Sequence, residues 1–367
     1  MINLILKINI FLLCFISVIG CNTKNKNIKS NITTTEKLLN NIKEVTKKGI
    51  LFGHHDAPVY GIGWEGDNER SDIKSVCGAY PAVMSFDLGH LELGNERNLD
   101  NVLFSDIRKY IVEQYERGGL ISLSWHVNNP KTNGDSWDVT DKDVVTSVLE
   151  GGVNHELMLT WLDNIAVFMN SLRTKENQPI PVLFRPWHEH TGSWFWWGQD
   201  LCTTEEYKSL WKMTYDRLKE KSVENVIYTY SSGMEPNNVD EYLERYPGNE
   251  IIDLLGVDIY QFSNDDYIKH LEKSLMILTE VGKTYDKAIA LTETGFETIP
   301  DSVWWTNTLL PIIEKYPLSY VLVWRNAREK ENHYYAPYPG QVSCNDFIQF
   351  YNSPKTLFIG DKFELYN

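Results

Sequence analysis

The chain has 367 residues, of which 42% are hydrophobic and 13% aromatic, and its formal net charge is −15. This length is enough for one large hydrophobic core or two small ones. Nucleic acids need a basic protein surface, so the acidic charge argues against a nucleic-acid partner. A neutral polymer fits the charge better, and the 12 tryptophans and 20 tyrosines point the same way.

The first 35 residues predict a targeting segment followed by a tether. Lys7 precedes an apolar run over residues 10–20, which is long enough for a signal peptide and too short to span a bilayer. The sequence Val-Ile-Gly-Cys at residues 18–21 resembles a bacterial lipobox, which implies cleavage after residue 20 and acylation of Cys21. An ordinary secretory signal with a chance cysteine is the alternative. Residues 21–35 would then be a polar, flexible tether between a lipid anchor in the membrane and the folded domain.

Strand and helix signals alternate from residue 36 to residue 367. Amphipathic stretches with helical spacing lie between short apolar runs that are rich in β-branched residues. Eight such units in one domain predict the α/β class and a single (β/α)8 TIM barrel. A doubly wound open sheet is the alternative, but no glycine-rich phosphate loop follows the first strand. The predicted strands are Gly49–Gly53, Ala82–Phe86, Leu120–Trp125, Pro181–Arg185, Val226–Tyr230, Leu254–Tyr260, Ala288–Thr292 and Tyr320–Trp324.

Cysteines and histidines give weak signals for a metal site. Cys77, Cys202 and Cys344 lie far apart in the predicted domain and show no metal-ligand or redox spacing. One pair of them could form a disulfide, and the sequence does not say which. Residues 54–56 (His-His-Asp) offer ligand side chains, but adjacent residues of a strand point to opposite faces. We therefore predict no metal.

The run Val182–Gly198 is the most informative stretch of the chain. It begins as an apolar strand and then places Glu189, two histidines and four tryptophans at the end of that strand. Indole rings stack on the apolar faces of sugars and donate hydrogen bonds. A carboxyl among such rings is partly desolvated, which favours its protonated form, as in the general acid of a glycosidase. A buried aromatic cluster is the alternative, but it explains the tryptophans better than it explains Glu189.

A second carboxylate, Glu293, lies at the end of the seventh predicted strand. Active sites of such barrels lie at the carboxyl ends of the strands, and strands four and seven face each other across the barrel mouth. Retaining glycosidases need two carboxyls about 5–5.5 Å apart, one to protonate the leaving oxygen and one to attack the anomeric carbon. We expect hydrogen bonds from Arg185 and Tyr260 to keep Glu293 ionised. A solvated strand end is the alternative for Glu293.

Residues 184–189 (Phe-Arg-Pro-Trp-His-Glu) and 192–198 (Gly-Ser-Trp-Phe-Trp-Trp-Gly) resemble the acid/base motif of glycoside hydrolase family 26. That family consists mainly of β-mannanases built on (β/α)8 barrels. The resemblance covers roughly residues 36–367, and its further matches follow in chain order: Gly53–Asp56, Trp125–His126, Gly256–Tyr260, Thr292–Glu293 and Val323–Asn326.

The resemblance implies a retaining, endo-type β-1,4-mannanase that cleaves mannan or manno-oligosaccharides by double displacement. It implies that Glu189 is the acid/base and Glu293 the nucleophile, with no metal and no cofactor. We count Arg185 among the substrate-binding residues, and the resemblance assigns the others. His188 and Tyr260 orient the carboxylates, Trp194 and Trp324 stack on sugars, and His126, Asp258 and Arg325 bind hydroxyls on the glycone side.

Several alternatives stay open. The chain could be an exo-acting family member that releases mannobiose, a member that acts on mixed-linkage glucan or xylan, or a glycan-binding lipoprotein without turnover. The presence of both Glu189 and Glu293 argues against the last of these. Residues 22–27 contain no acidic residue, whereas surface-exposed lipoproteins of some Gram-negative bacteria tend to carry acids there. We therefore expect an anchor in the outer membrane, with the periplasmic face favoured over the cell surface.

Overall fold

The computed structural model describes residues 33–233, 235–262 and 266–367. The predicted signal peptide, the lipidation site at Cys21 and the tether as far as residue 32 lie outside the described residues. The described part of the tether differs from the prediction, because helix α1 begins at Thr34, where Thr33 and Glu36 form a capping box. No helix in the described ranges is both long and apolar enough to cross a membrane.

A closed barrel of eight parallel strands forms the centre of the described structure. Each barrel strand pairs with the next one along the chain, and the pairing of the last with the first closes the ring. All eight predicted strands are present, so the predicted TIM barrel is confirmed. The strands are β1 (Ile50–His55), β2 (Tyr60–Gly61), β3 (Trp64–Glu65), β4 (Val83–Asp87), β5 (Leu120–Trp125), β6 (Val182–Pro186), β7 (Val226–Ser232), β8 (Leu254–Gln261), β9 (Ala288–Phe296), β10 (Leu318–Val323) and β11 (Thr356–Leu357).

Three of these strands lie outside the barrel ring and were not predicted. Strands β2 and β3 form a hairpin after β1, and β11 pairs with the start of β1. Each has only two residues, which is too short to show an alternating pattern in the sequence.

Helices follow each barrel strand and cover the outside of the ring. Helix α6 begins with a capping box, in which the Thr203 side chain accepts from the Glu206 backbone and the Glu206 carboxylate accepts from the Thr203 backbone. The helices are α1 (Thr34–Val45), α2 (Asp72–Cys77), α3 (Phe104–Glu116), α4 (Val144–Val148), α5 (His155–Ser171), α6 (Thr204–Glu220), α7 (Val239–Leu243), α8 (Tyr267–Tyr285), α9 (Leu310–Ile313), which continues a π-helical turn over Trp305–Leu309, and α10 (Cys344–Tyr351).

Helix α1 closes the amino end of the barrel. Its apolar face, which includes Leu38 and Ile42, packs against the first residues of the barrel strands, such as Leu120 in β5 and Leu254 in β8. These side chains are fully buried, so water is excluded from this end of the barrel. Polar side chains therefore meet a cleft at the opposite end of the barrel, where the carboxyl ends of the strands lie.

The three cysteines of the described domain, Cys77, Cys202 and Cys344, are free thiols. The disulfide that the sequence left open is therefore absent among them. Burial raises the pKa of Cys202 to about 11, although the Arg245 guanidinium lies 2.8 Å from its sulfur. A thiol with such a pKa is a weak nucleophile at neutral pH.

Candidate active site

A cleft of about 370 Å³ lies at the carboxyl ends of the barrel strands. It collects seven of the predicted site residues, whereas Arg185 and His188 are buried and Arg325 is bonded to loop residues beside the cleft. The cleft is lined by His126, Trp137, Glu189, Trp194, Phe195, Gly233, Asp258, Tyr260, Phe262, Glu293, Trp324, His333 and Tyr335.

Glu189 lies in a tight turn that follows β6. Its φ angle is 53°, in the left-handed region that non-glycine residues rarely adopt, and such strain is found at functional sites. The turn is held against β7, where the Glu189 backbone N–H donates to the Ser231 carbonyl at 3.1 Å. Gly233 leaves room for Glu189, because a Cβ on residue 233 would lie 2.6 Å from the Glu189 Cβ. The local backbone therefore aims the Glu189 carboxyl into the cleft.

The surroundings of the Glu189 carboxyl favour its protonated form. Burial raises its pKa well above the usual value, and the negative charges of Glu293 and Asp258 raise it further. A hydrogen bond from the Trp194 indole N–H to Oε2, at 2.6 Å, and the charge of Arg185 act in the opposite direction. Since burial and like charges prevail, Glu189 holds its proton at a pH where an ordinary glutamate is ionised.

Glu293 is positioned by a β-bulge and held by two donors. Val257 pairs with Leu291 but Asp258 pairs with Glu293, so β9 has one extra residue at this point. Such a bulge redirects the side chains that follow it. The Arg185 guanidinium donates to Oε1 of Glu293, and the Tyr260 hydroxyl donates to Oε2 at 2.7 Å. Both carboxylate oxygens thus have a strong donor.

Asp258 lies beneath this pair and bonds to protein groups. Its Oδ2 accepts from Arg185 at 2.8 Å and from Ser231 at 3.0 Å, and its Oδ1 accepts from Thr292 at 2.6 Å. Its side chain has no exposed surface. Burial raises the pKa of Asp258 to about 7, against the lowering effect of Arg185. This differs from the expectation that Asp258 binds a sugar hydroxyl, because protein donors occupy its oxygens.

His126 and His188 contact each other. Their Nε2 atoms are 3.2 Å apart, and Nδ1 of His126 lies 2.7 Å from Oδ2 of Asp87. The His126 ring stacks on the exposed Trp137, with centroids 5.1 Å apart. We expected His188 to orient a catalytic carboxylate. In the structure, Nε2 of its ring faces His126, and a hydrogen bond with the Arg185 backbone acts on the same ring.

Trp324 and Arg325 follow β10 and lie beside the first strand. The Trp324 ring stacks on His55 with centroids 4.0 Å apart, and one face is left toward the cleft. Arg325 donates to the Tyr60 hydroxyl at 3.3 Å and lies 3.0 Å from an Asp100 carboxylate oxygen. These contacts hold Arg325 against the loops that follow β1 and β4.

A buried cluster of His55, Asp56 and Asp100 has the residue types of a metal site. One potential ligand atom from each lies within 4.8 Å of the others. However, the Asp56 carboxylate accepts from Tyr60 at 2.5 Å, and the Arg325 guanidinium is 3.0 Å from Asp100. Arg325 offsets the charge of Asp100, and burial together with the charge of Asp100 raises the pKa of Asp56 well above its usual value, so this cluster gives no reason to assign a metal.

The sequence of this chain matches that of a known enzyme family along most of its length. Residues 28–334 match the family model described as Glycosyl hydrolase family 26. The chain belongs to this family. The family prediction is therefore confirmed, and the chain is a glycoside hydrolase.

Among curated relatives, a mannan endo-1,4-beta-mannosidase from Bifidobacterium adolescentis is 30% identical over 347 residues, which are 88% of this chain and 34% of that protein. A second, from Bacillus subtilis strain 168, is 28% identical over 318 residues, which are 82% of this chain and 81% of that protein. The chain thus spans about a third of the first relative and most of the second.

Solved structures of the family share the fold of this chain. A family 26 β-mannanase from Bacteroides ovatus is 68% identical, with a TM-score of 0.90 over 91% of this chain and 97% of that one. An endo-β-1,4-mannanase double mutant from Cellulomonas fimi is 32% identical, with a TM-score of 0.83 over 91% of this chain and 77% of that one.

Several residues that line the cleft of this family 26 hydrolase were not predicted as site residues. They are Trp137, Phe195, Phe262, His333 and Tyr335. Phe195 belongs to the aromatic motif and Phe262 directly follows β8, whereas Trp137, His333 and Tyr335 lie in loops farther from a strand end. Trp137 and Phe262 have 48% and 90% of their surfaces exposed, and the sequence carried a signal for Trp137, which is an aromatic residue among polar ones (Asp135, Ser136 and Asp138).

Proposed function

We propose that the chain hydrolyses β-1,4-mannan as a retaining, endo-type mannanase, with Glu189 as the acid/base and Glu293 as the nucleophile. The contrast between the two carboxyl environments carries this proposal. Glu189 has a raised pKa and one indole donor, whereas Glu293 accepts from a guanidinium and a phenol. Two carboxyls in such different surroundings suit an acid and a nucleophile. The names of the relatives support mannan as the substrate.

The reaction follows from these surroundings. In the first step, Glu189 transfers its proton to the glycosidic oxygen while an oxygen of Glu293 bonds to the anomeric carbon and the leaving sugar departs. In the second step, Glu189 accepts a proton from water, whose oxygen replaces Glu293 at that carbon. The Trp194 N–H stabilises the Glu189 carboxylate that exists between the two steps. Tyr260 and Arg185 hold Glu293 for its attack.

The cleft suits a neutral sugar chain. The rings of Trp137, Trp194 and Trp324 offer apolar faces for stacking, and His126, whose two ring nitrogens face Asp87 and His188, lies beside them. We assign Asp258 to the support of Arg185, because its carboxylate bonds to that guanidinium and has no exposed surface. The partner in this proposal is therefore a polysaccharide or oligosaccharide, bound by stacking and hydrogen bonds.

Purified protein incubated with β-mannan should release reducing sugar, and mixed-linkage glucan and xylan serve as competing substrates. Glu293→Ala should remove nearly all of this activity, whereas Glu314→Ala, an exposed change on the outside of the barrel, should retain it. Proton NMR should show the β anomer first, because two displacements retain the configuration. A folded Glu293→Ala protein with wild-type activity, or an initial α anomer, would contradict the proposal.

One observation favours the alternative in which mannobiose is the main product. Two arginines after β10 join three loops beside the cleft. Arg328 pairs with Glu65 at 3.1 Å and donates to the Asp100 carbonyl at 2.9 Å, and Arg325 bonds to Tyr60 and Asp100. We infer that loops fastened in this way beside the cleft restrict one of its ends. A time course on manno-oligosaccharides decides, since mannobiose alone at early times indicates exo-action and a range of products indicates endo-action.

We also propose that the protein is a lipoprotein of the outer membrane, anchored through Cys21 with its domain on the periplasmic side. The lipobox-like sequence and the absence of acids in residues 22–27 support this. The fold is compatible with it, because α1 lies at the amino end of the barrel and the cleft at the carboxyl end.

A further inference from the structure

Asp87, the last residue of β4, is fully buried directly behind the cleft. Its Oδ1 accepts from the backbone N–H groups of Gly89 at 2.7 Å and His126 at 3.2 Å. Its Oδ2 accepts from the Ser124 hydroxyl at 2.6 Å and lies 2.7 Å from Nδ1 of His126. A carboxyl surrounded by donors on both oxygens is bound in its ionised form.

These contacts decide where the protons of His126 lie. Burial works against ionisation of Asp87, but the charge of His126 and the hydrogen bonds prevail and hold the pKa of Asp87 below its usual range. An ionised carboxylate only accepts, so Nδ1 of His126 carries a proton and donates it. This determines the protonation of Nδ1, one of the two ring nitrogens of His126.

The second nitrogen faces His188. Only one proton fits between two Nε2 atoms that are 3.2 Å apart. Burial and the charge of Arg185 lower the pKa of His188 well below its usual value. Burial also lowers the pKa of His126, but the charge and hydrogen bond of Asp87, together with the charge of Glu293, outweigh this and the net change is upward. The shared proton therefore belongs to His126, which donates to His188.

We propose that Asp87 is a positioning residue of the active site, which holds His126 in one orientation and as an imidazolium beside the bound sugar. This proposal rests on the proposed function, since it assigns Asp87 a part in sugar hydrolysis. Asp87 acts through His126 and has no contact with the cleft of its own. The titratable and charged groups that face His126 from the neighbouring strands and loops are His55, Asp87, Asp100, Arg185, His188 and Glu293.

Asp87→Asn tests the proposal with almost no change in shape. The two backbone donors keep the amide oxygen of the substituted side chain on their side, so its NH₂ group faces Nδ1 of His126. His126 must then accept at Nδ1, which leaves a neutral ring with its proton on Nε2. Ser124→Ala is the matched control, because it removes a different donor from the same carboxylate oxygen and leaves the contact between Asp87 and His126.

The first measurement is histidine nitrogen NMR on the intact protein without substrate. The resonances of His126 are identified by their loss in His126→Gln. The wild-type ring should titrate above the ordinary histidine value and keep its proton on Nδ1 when it becomes neutral. Asp87→Asn should lower this pKa by about one unit or more and move the proton to Nε2, whereas Ser124→Ala should do neither. A wild-type ring that titrates below the ordinary value, or carries its neutral proton on Nε2, overturns the proposal even if Asp87→Asn does not fold.

The second measurement is kcat/KM against pH on β-mannan. Asp87→Asn should lose roughly tenfold at low pH, which corresponds to about 1.4 kcal/mol. A raised pKa means that the charged ring is present below that pKa, so the loss should shrink as pH rises through it. Adding Asp87→Asn to His126→Gln should cost nothing more. If the kcat/KM losses of Asp87→Asn and His126→Gln multiply in the double variant, or if the loss in Asp87→Asn is constant with pH, then Asp87 acts only through the fold and the proposal is wrong. If the wild type lacks mannanase activity, the proposed function fails, while the NMR result still decides the state of His126.

Discussion

Trp194 donates its indole N–H to Oε2 of Glu189 at 2.6 Å, so a ring of the cleft wall is bonded directly to the proposed acid/base. The bond favours the ionised carboxyl, whereas burial and the charges of Glu293 and Asp258 favour the protonated one. The pKa of Glu189 is therefore set by opposing effects within the cleft. Removing the indole N–H of Trp194 should therefore shift this pKa.

Trp194→Phe keeps an aromatic ring and removes the N–H donor. Because that donor lowers the pKa of Glu189, its loss should raise the pKa further. The acid must be protonated to act, so activity is lost as pH rises through this pKa. We expect the alkaline limb of kcat/KM to move up by about one pH unit. Trp137→Phe, on the same cleft but without a bond to Glu189, should leave this limb in place. A downward shift in Trp194→Phe would contradict the assignment.

Glu189→Ala and Glu293→Ala should separate the two catalytic roles. Loss of a general acid should slow the hydrolysis of mannan by roughly 10²- to 10⁴-fold. Mannosides with an activated aryl leaving group need little protonation, so Glu189→Ala should retain most of the rate of the first step on these substrates. Glu293→Ala should lose activity on both substrates, because it lacks the nucleophile. Initial rates on the two substrate types check this, and an equal loss on both in Glu189→Ala would argue against its role as the acid.

Trp324→Ala should weaken sugar binding more than it weakens the fold. Trp324 is partly exposed to the cleft, whereas Trp305 is fully buried among aromatic side chains. Trp305→Ala should therefore cost about 3–5 kcal/mol of unfolding free energy. Trp324→Ala should cost less and raise KM for manno-oligosaccharides. Chemical denaturation and kinetics of the two variants check this. A stability loss in Trp324→Ala equal to that of Trp305→Ala, with normal kinetics, would make Trp324 a core residue.

Cys21→Ser should release the protein from membranes. The wild type should enter the detergent phase of a Gram-negative cell extract, because acyl chains on Cys21 supply the apolar area that an anchor needs. Cys14→Ser, in the predicted signal segment, should leave this partition unchanged. Protease added to intact cells should spare the wild type together with a periplasmic marker. Digestion of the wild type while the marker survives would place the domain on the cell surface.

The barrel and the acid/base motif were predictable because their signals are local. Each barrel strand is a short apolar run, and the hydrophobic spacing of the helices between them reports burial of one face. Glu189 and its tryptophans are contiguous in the sequence, so their chemistry could be interpreted together. Glu293 was found because the carboxyl ends of all strands in such a barrel meet at one end.

The contacts that tune the site depend on tertiary structure. Asp87 and His126 are 39 residues apart, and His126 and His188 are 62 apart, so only barrel closure and loop packing bring them within hydrogen-bond distance. The extra residue in β9 that brings Glu293 opposite Asp258 is likewise not revealed by strand periodicity. Sequence patterns record which residue types are present along each strand. Whether a polar side chain bonds to protein or faces the cleft is decided by its neighbours in space.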